Sequence, residues 1–396
     1  MNMTRFINSL CCIVFASLIF PGMAFSGGKS DPAAKNQGAA SGNETETPMA
    51  TSIKDLEVAT VQIAPSVPRE TIFLGQLKSE IARAERVTGR ALTADEKRQV
   101  LDMMINEKLA IQAATRDKIT VSDSEINQQI QQLKDSMVQV IGRAPTEIEF
   151  ALAIRNETGI DAPAHLQTDD EKKNFIIDAF RDQIRRQALV QRYLGSKKEN
   201  EFKSIKMPTD TEITDVYNLR KSEFVRPDTV RFSMIQVPFG PDDLSKAKAK
   251  ELADRLVREI GSNASRFDEA VSRGRTPNSG YQAGDGGFLP RNAETQQVVG
   301  DEFFKAAFAL KQGEVSKLIE SAGAYRIIKI TESYELKNLA LDDIYQLGTS
   351  MTVRNFIGNA MLQERQQTTL AQASQELITE LRAGNTYRVF EQNLNW

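Results

Sequence analysis

The hydrophobic pattern of this 396-residue chain switches from helical to strand-like at Pro227 and becomes helical again near residue 341. Before the switch, copies of a Ser/Thr-x-x-Glu signature begin at Thr93, Ser122, Thr168 and Thr209. In this signature the hydroxyl accepts from a backbone N–H of the first helical turn, and the glutamate reaches back to the chain before it. Each copy opens a segment with apolar residues three or four positions apart, so residues 70 to 224 are predicted to be helical.

The segment after Pro227 predicts a mixed unit. TVRFSMIQVPF at 229–239 and YRIIKITES at 325–333 alternate and carry β-branched residues, which predicts two strands. Between them, helices are predicted over 245–260, 267–271 and 303–310, with the glycine-rich YQAGDGGFLPR at 281–291 as a loop. This β-α-α-loop-α-β order predicts an α+β fold with the unit inserted between helical segments. Residues 341–382 are predicted to be helical, and short strands are predicted in VATVQIA at 58–64 and in TYRVFEQ near the carboxyl end.

The amino-terminal residues predict export from the cytoplasm. Arg5 precedes an apolar run from Phe6 to Phe20, Pro21 breaks that run, and small residues follow up to Ser26. This is the pattern of a secretory signal, with cleavage after Ala24 or Ser26, and the run is shorter than the roughly 20 residues of a spanning helix. An uncleaved anchor and lipid attachment are the alternatives. Residues 27–68 are rich in Gly, Ala, Ser, Thr and Asn and predict a flexible linker.

The residue counts exclude several kinds of chemistry. Both cysteines, Cys11 and Cys12, lie inside the signal, and His165 is the one histidine of the chain. The mature protein is therefore predicted to lack disulfides, thiolate metal sites and every catalytic triad that needs histidine, and to need no metal or cofactor. A net charge of −3 gives no basic footprint for nucleic acid.

Residues 228–335 resemble the parvulin domain, a small peptidyl-prolyl isomerase fold. The likeness rests on AGDGGFLPR at 283–291 and on FFKAAFALKQGEVSKLIESAGAYRIIKI at 303–330. VLDMMINEKLAIQAATRDKITVSDSEINQQI at 100–130 is similar to the amino-terminal chaperone region of secreted parvulin proteins of the SurA and PrsA kind. After the predicted signal at 1–26 and linker at 27–68, the resemblance implies an amino-terminal helical region at 69–225, a parvulin unit at 226–335, and a carboxyl-terminal segment at 336–396 that completes the helical lobe.

The resemblance also assigns the site, and it implies that the site has degenerated. Parvulins use two histidines and a nearby cysteine or aspartate; the corresponding positions here are Met234, Arg326 and Pro277. In the apolar pocket the aromatic residue is Phe303 and the methionine position is Val299, and Phe288 is assigned to substrate binding with them. The pocket leucine is replaced by Gly286. Methionine does not titrate and arginine stays charged, so an imidazole network cannot be rebuilt from these residues. No catalytic residue is therefore assigned.

Three functions are consistent with these features. The first is a periplasmic chaperone that holds unfolded or extended envelope and outer-membrane proteins, with a parvulin unit that lacks isomerase activity. The second is an active prolyl isomerase with an atypical site, and the third is a scaffold or adhesin in which the parvulin unit is a spacer. The glycine cluster is predicted to be a parvulin turn, with positive φ angles and a close approach of the backbone to the substrate pocket.

Overall fold

The computed structural model describes residues 56–276, 279–321 and 323–394. The predicted signal, most of the predicted linker, and Pro277 lie outside these residues. The chain divides into two compact units, one containing residues up to Lys206 together with Glu364 onward, the other spanning Met207–Gln363. Among the described helices, none combines the length and the hydropathy that crossing a bilayer requires.

The strands are all antiparallel to their neighbours and form three sheets, with orders β2-β1-β9, β3-β8 and β5-β4-β7-β6. Their bounds are β1 Glu57–Val61, β2 Glu70–Phe73, β3 Val225–Arg226, β4 Thr229–Pro238, β5 Gln282–Pro290, β6 Ile319–Ser321, β7 Ala324–Tyr334, β8 Lys337–Asn338 and β9 Tyr387–Val389.

The α-helices account for most of the remaining described chain. Their bounds are α1 Leu74–Thr88, α2 Ala94–Arg116, α3 Asp123–Ile141, α4 Glu147–Thr158, α5 Asp169–Lys197, α6 Glu199–Lys203, α7 Asp210–Leu219, α8 Asp243–Ile260, α9 Ala264–Gly274, α10 Ala293–Val299, α11 Asp301–Ala309 and α12 Val353–Arg382.

The four predicted capping boxes are all present. Thr93, Ser122, Thr168 and Thr209 stand before α2, α3, α5 and α7, and each accepts from the backbone N–H of the glutamate three residues on. A fifth box, from Thr146 to Glu149, opens α4. These boxes fix the starts of their helices because they satisfy backbone donors that the helix itself leaves unpaired.

The first unit is built from both ends of the chain. β1 lies between β2 and the carboxyl-terminal β9, and its Val58, Ala59 and Val61 are fully buried. The same core contains Leu101, Ile105 and Leu109 of α2 and residues of α12 such as Leu377. The predicted strand in 58–64 is thus confirmed as a central strand, and the prediction that residue 70 begins a helix is wrong because β2 occupies Glu70–Phe73.

The second unit places helices on both faces of its four-stranded sheet. On one face, Ile235 and Val237 of β4 pack with α8 and α9 around the fully buried Phe267. On the other, Val230 and Phe232 of β4 pack with α11. The alternation of β4 thus serves two cores, which is the α+β layering that the sequence predicted.

Two segments differ from their predicted structures. The predicted loop at 281–291 is largely the edge strand β5, and helix α10 follows it. Residues 341–352, predicted to be helical, contain turns and an isolated bridge between Ile344 and Thr352 before α12 begins at Val353. A separate small core of the second unit joins this region to α7, with Tyr217, Phe224 and Val353 buried in it. Helix α7, predicted within the amino-terminal helical region, therefore groups with the second unit.

Candidate functional site

The glycine cluster shapes one face of the four-stranded sheet through its backbone. Gly287 has a φ of +80°, a left-handed conformation that favours glycine, whereas Gly284 and Gly286 have no positive φ. A Cβ on Gly286 would lie 2.1 Å from Cε2 of Phe232, so only glycine lets the Phe232 ring lie against β5. The register between β4 and β5 shifts at this point, between Phe232 and Ser233. The cluster therefore combines a bulged edge strand with a close approach of ring and backbone.

Met234 and Arg326 lie close together on the face that packs with α11. In the ladder between β4 and β7, Met234 is opposite Ile328 and Arg326 is opposite Gln236. The two residues are therefore diagonal neighbours, typically about 7–8 Å apart across a sheet. The structure brings together the two positions that the resemblance assigned to histidines.

The Arg326 guanidinium is half-buried and hydrogen-bonded. Its Nε donates to Oε1 of Gln236 over 2.9 Å, and its Cζ lies 5.9 Å from the centroid of the Phe303 ring. Burial lowers the pKa of Arg326 below its ordinary value. Because an arginine pKa starts above 12, the group still stays charged at neutral pH. Gln236 was not identified from the sequence, although its position two residues after Met234 on an alternating strand places it on the same face.

The aromatic floor of the predicted pocket is covered. Phe303 is 3% exposed and makes an edge contact with Phe232, their ring centroids 5.4 Å apart. Val299 is half-buried at the end of α10 and packs against the same core. Phe232 therefore occupies space beside Gly286, at the position where the resemblance expects a leucine side chain.

Phe288 does not belong to this pocket. It pairs with Arg231 on β4, one residue out of phase with Phe232, and so lies on the opposite face of the sheet. Its ring is 5.1 Å from the Arg231 guanidinium and 6.2 Å from the Tyr334 ring. The assignment of Phe288 to one site with Phe303 and Val299 is wrong, because the glycine segment is a strand whose residues alternate between faces.

The described part of the face contains no group that exchanges a proton near neutral pH. Prolyl isomerisation makes no covalent bond and requires a pocket for the ring and groups that stabilise the twisted peptide, against a barrier of about 18–20 kcal/mol. Met234 supplies a thioether, Arg326 a fixed charge and Gln236 an amide. No cluster of three or more His, Cys, Asp or Glu suited to a metal ion occurs within 56–276, 279–321 and 323–394.

A second candidate site is a cleft of about 650 Å³ in the first unit, between α1, α2 and α5. We call it the α1–α2–α5 cleft. Its lining consists of Glu70, Gln76, Ser79, Glu80, Arg83, Val100, Met103, Met104, Glu107, Lys108, Ile111, Gln183, Arg186, Gln187, Val190 and Gln191. Its volume lies within the range of about 300–1,000 Å³ found for pockets that hold drug-sized ligands. Met103 and Met104 are half-buried, pack against the core of the first unit and also line the cleft.

Comparison with known proteins identifies the second unit at the family level. Residues 208–346 match the family described as the PPIC-type PPIASE domain. The chain is 23% identical over 332 residues to the foldase protein PrsA of Clostridium botulinum (strain Loch Maree / Type A3), covering 83% of this chain and 84% of that protein. It is 25% identical over 280 residues to the foldase protein PrsA of Clostridium kluyveri, covering 68% of this chain and 71% of that protein.

Solved structures of similar proteins include chaperones and foldases. A SurA-like chaperone of Campylobacter jejuni matches with a TM-score of 0.33 and 12% identity, covering 85% of this chain and all of that one. PrsA from Bacillus subtilis matches with a TM-score of 0.23 and 19% identity, covering 82% and 93%. The parvulin assignment rests on the sequence match of residues 208–346 to the domain family and not on these structural matches. The parvulin resemblance is confirmed for residues 208–346, and the chain as a whole is similar to foldase proteins of the PrsA kind.

Proposed function

We propose that this chain is an extracytoplasmic chaperone that holds unfolded polypeptides, and that its parvulin unit has little or no isomerase activity. The proposal of little or no isomerase activity rests on the residues of the sheet face that packs with α11. Met234 and Arg326 occupy the positions assigned to histidines, and Phe303 is covered by Phe232. A proline ring would have to displace packed aromatic side chains before it reached the pocket floor.

The cellular setting of the proposal is the periplasm. Its support is the signal pattern at residues 1–26 and the absence of cysteine after Cys12. We infer from the resemblance that the clients are extended segments of outer-membrane or secreted proteins. A holding chaperone requires an exposed surface that accepts apolar segments and no catalytic residue.

Two assays on the purified mature chain test the proposal. The first follows cis–trans isomerisation of a short prolyl peptide, and we expect a rate close to the uncatalysed one. The second follows light scattering as an unfolded outer-membrane protein is diluted from urea, and we expect stoichiometric amounts of the chain to suppress aggregation. Efficient isomerisation would contradict the first part, and unchanged aggregation would contradict the second.

An active isomerase with an atypical site is the second candidate. The match of residues 208–346 to the PPIC-type PPIASE domain favours it. In that case we assign Arg326, the charged group beside Phe303, to stabilise the twisted peptide. If turnover is found, replacement of Arg326 by Gln should remove most of it, whereas replacement of Lys305, an exposed lysine of α11, by Gln should not.

A further inference from the structure

The charged residues that line the α1–α2–α5 cleft neutralise one another. Nζ of Lys108 is 2.6 Å from a carboxylate oxygen of Glu70, and Nε of Arg186 is 3.0 Å from one of Glu107. The third pair joins Arg83 and Glu80 over 3.3 Å. Every charged residue of the lining therefore has an opposite charge beside it, and the cleft presents no net charge to a ligand.

The rest of the lining is apolar or uncharged and polar. The apolar members are Val100, Met103, Met104, Ile111 and Val190, and the uncharged polar members are Gln76, Ser79, Gln183, Gln187 and Gln191. Methionine side chains adapt to ligands of varied shape, and glutamine amides can both donate to and accept from a peptide group. This composition matches a polypeptide segment with uncharged side chains.

Gln183 supplies an independent sign of a missing partner. The residue is 4% exposed, and its Nε2 has no hydrogen-bond partner. Its Oε1 accepts from Nη1 of Arg83 over a long 3.3 Å. A buried donor without an acceptor is unfavourable, so an acceptor brought by a ligand would be bound favourably.

We propose that the α1–α2–α5 cleft binds an extended, uncharged segment of a client polypeptide, with a backbone carbonyl of the segment accepting from Nε2 of Gln183. The inference rests on the proposed chaperone function and gives it a binding site. Gln183 lines the cleft, so we expect its amide to turn toward the cleft as the carbonyl enters. The weak bond to Arg83 makes this turn easy, and Arg83 keeps its ion pair with Glu80.

A peptide-binding measurement on the full mature chain tests the proposal. The probe is a fluorescent, terminally blocked peptide of alternating valine or tyrosine and threonine, and its companion carries glutamate at two threonine positions. We expect the companion to bind at least tenfold more weakly, because it brings unpaired charge into a neutral cleft. In Gln183→Met, which keeps the side-chain volume, we expect the dissociation constant for the neutral peptide to rise about three- to tenfold, the value of one lost hydrogen bond.

Two further variants keep the test decisive. Ser79→Trp fills the cleft from an exposed position and should abolish peptide binding even if Gln183→Met folds poorly. Gln132→Met, on an exposed position of α3 away from the lining, should bind as the unchanged chain does. The melting temperature of Gln183→Met should stay the same or rise, since the unpaired donor is gone.

The outcomes separate this inference from the chaperone proposal. Failure of the unchanged chain to bind the neutral peptide, equal binding of the two peptides, or unaltered binding in Ser79→Trp would overturn the cleft assignment. If the same variants still suppressed aggregation of an unfolded protein, the chaperone function would stand with a client site elsewhere. If the chain bound the neutral peptide through Gln183 but failed to suppress aggregation, the cleft would stand and the chaperone proposal would fall.

Discussion

The Phe232 ring lies against the backbone of Gly286, in the space that a side chain at residue 286 would otherwise occupy. The parvulin resemblance expects a leucine at residue 286, and here the side chain is absent while an aromatic ring from the neighbouring strand lies against the bare backbone. The same ring makes the edge contact that covers Phe303. The missing side chain at residue 286 and the covering of Phe303 are therefore linked through the one Phe232 ring, and we expect that leucine at residue 286 alone would not expose Phe303.

Replacing Gly286 with leucine should destabilise the second unit by about 2–3 kcal/mol, the cost of overpacking a filled core. The added Cβ would lie 2.1 Å from Phe232, a ring held on both sides. Urea unfolding monitored by circular dichroism measures the loss. Gly284→Ala is the matched control, because a Cβ at Gly284 meets nothing within 4 Å. Equal stability of the two variants would show that Phe232 moves aside freely.

On the sheet face that packs with α11, some residues were easier to assign from the sequence than others. Met234 and Arg326 were assigned by the parvulin resemblance, and both stand on strongly alternating segments that were predicted to be strands. Phe288 could not, since a glycine-rich segment carries no alternation from which to assign faces, and a bulge shifts the phase of β5. The covering of Phe303 depends on a contact between distant segments, which a local pattern does not encode.

At the scale of elements, the helices of the first unit begin where side chains fix them. Glu125 closes the box at the start of α3: Arg192 donates to its carboxylate, and the backbone N–H of Ser122 donates to it over 2.8 Å. These contacts, Arg192 first, lower the pKa of Glu125 from 4.5 to about 2. The carboxylate form is thus favoured by folding, so its stabilisation is complete above pH 4.5 and is lost as the pH falls toward 2.

Glu125→Gln should lower the melting temperature at pH 7 by about 2–4 °C, as loss of a helix cap does in a domain of this size. The difference from the unchanged chain should shrink as the pH is lowered from 5 to 2.5, because the native carboxylate then protonates. Melting curves across this range measure the effect. Glu364→Gln, on an exposed position of α12, should change neither value. A difference that stays constant down to pH 2.5 would count against the lowered pKa.

Lys198 joins an amino-terminal helix to the carboxyl-terminal one. Directly after α5, its side chain is 8% exposed and Nζ lies 2.9 Å from Glu376 and 3.0 Å from Glu380, both on α12. Lys198→Met keeps the apolar stem and removes the charge. We expect it to cost about 1 kcal/mol, since the two glutamates remain solvated. Lys203→Met removes a lysine that pairs with Glu199 at the surface, and chemical unfolding should show it within about 0.5 kcal/mol of the unchanged chain. Equal losses would mean that the Lys198 cluster contributes no more than a surface pair.

Elements with a strong local signal were predicted, and those that depend on distant partners were not. Capping boxes carry their own chemistry within four residues, so the helix starts after Thr93, Ser122, Thr168 and Thr209 could be identified, although the box that begins at Thr146 was missed. The two-residue strands β3 and β8 exist because Val225 pairs with Asn338 across more than a hundred residues. Residues 341–352 resemble a helix in composition, yet the backbone N–H of Val353 bonds to Asp343 and the chain turns instead.

At the scale of the whole molecule, the first unit is assembled from segments far apart in the chain. β1 needs β2 on one side and β9 on the other, and Arg382 of α12 donates to Asn106 and Asp102 of α2. The first unit therefore cannot complete its folding without the carboxyl-terminal segment. Because these contacts join segments far apart in the chain, we expect them to form slowly. The prediction of one lobe from both ends is confirmed, and the two compact units divide after residues 206 and 363.

The two ends at which the second unit is inserted lie close together. Arg365 Nη1 donates to the backbone carbonyl of Lys206 over 2.9 Å, so one arginine side chain spans the gap. We expect that replacing residues 207–363 by a Gly/Ser linker of about six residues gives a folded first unit, because every core residue of that unit is retained. Thermal unfolding followed by circular dichroism should show one cooperative transition.

The excised variant also tests which of the two units binds client polypeptides. If the α1–α2–α5 cleft binds them, the variant should keep most of the suppression of aggregation per mole, because the cleft lining lies wholly within residues 70–191. A second variant that also lacks residues 384–396 should lose the cooperative transition, because it removes β9 and leaves one side of β1 unpaired. If the excised first unit unfolded cooperatively but did not suppress aggregation, client binding would be assigned to the parvulin-containing unit. Clients would then bind a surface of that unit other than the α11-facing side of its sheet.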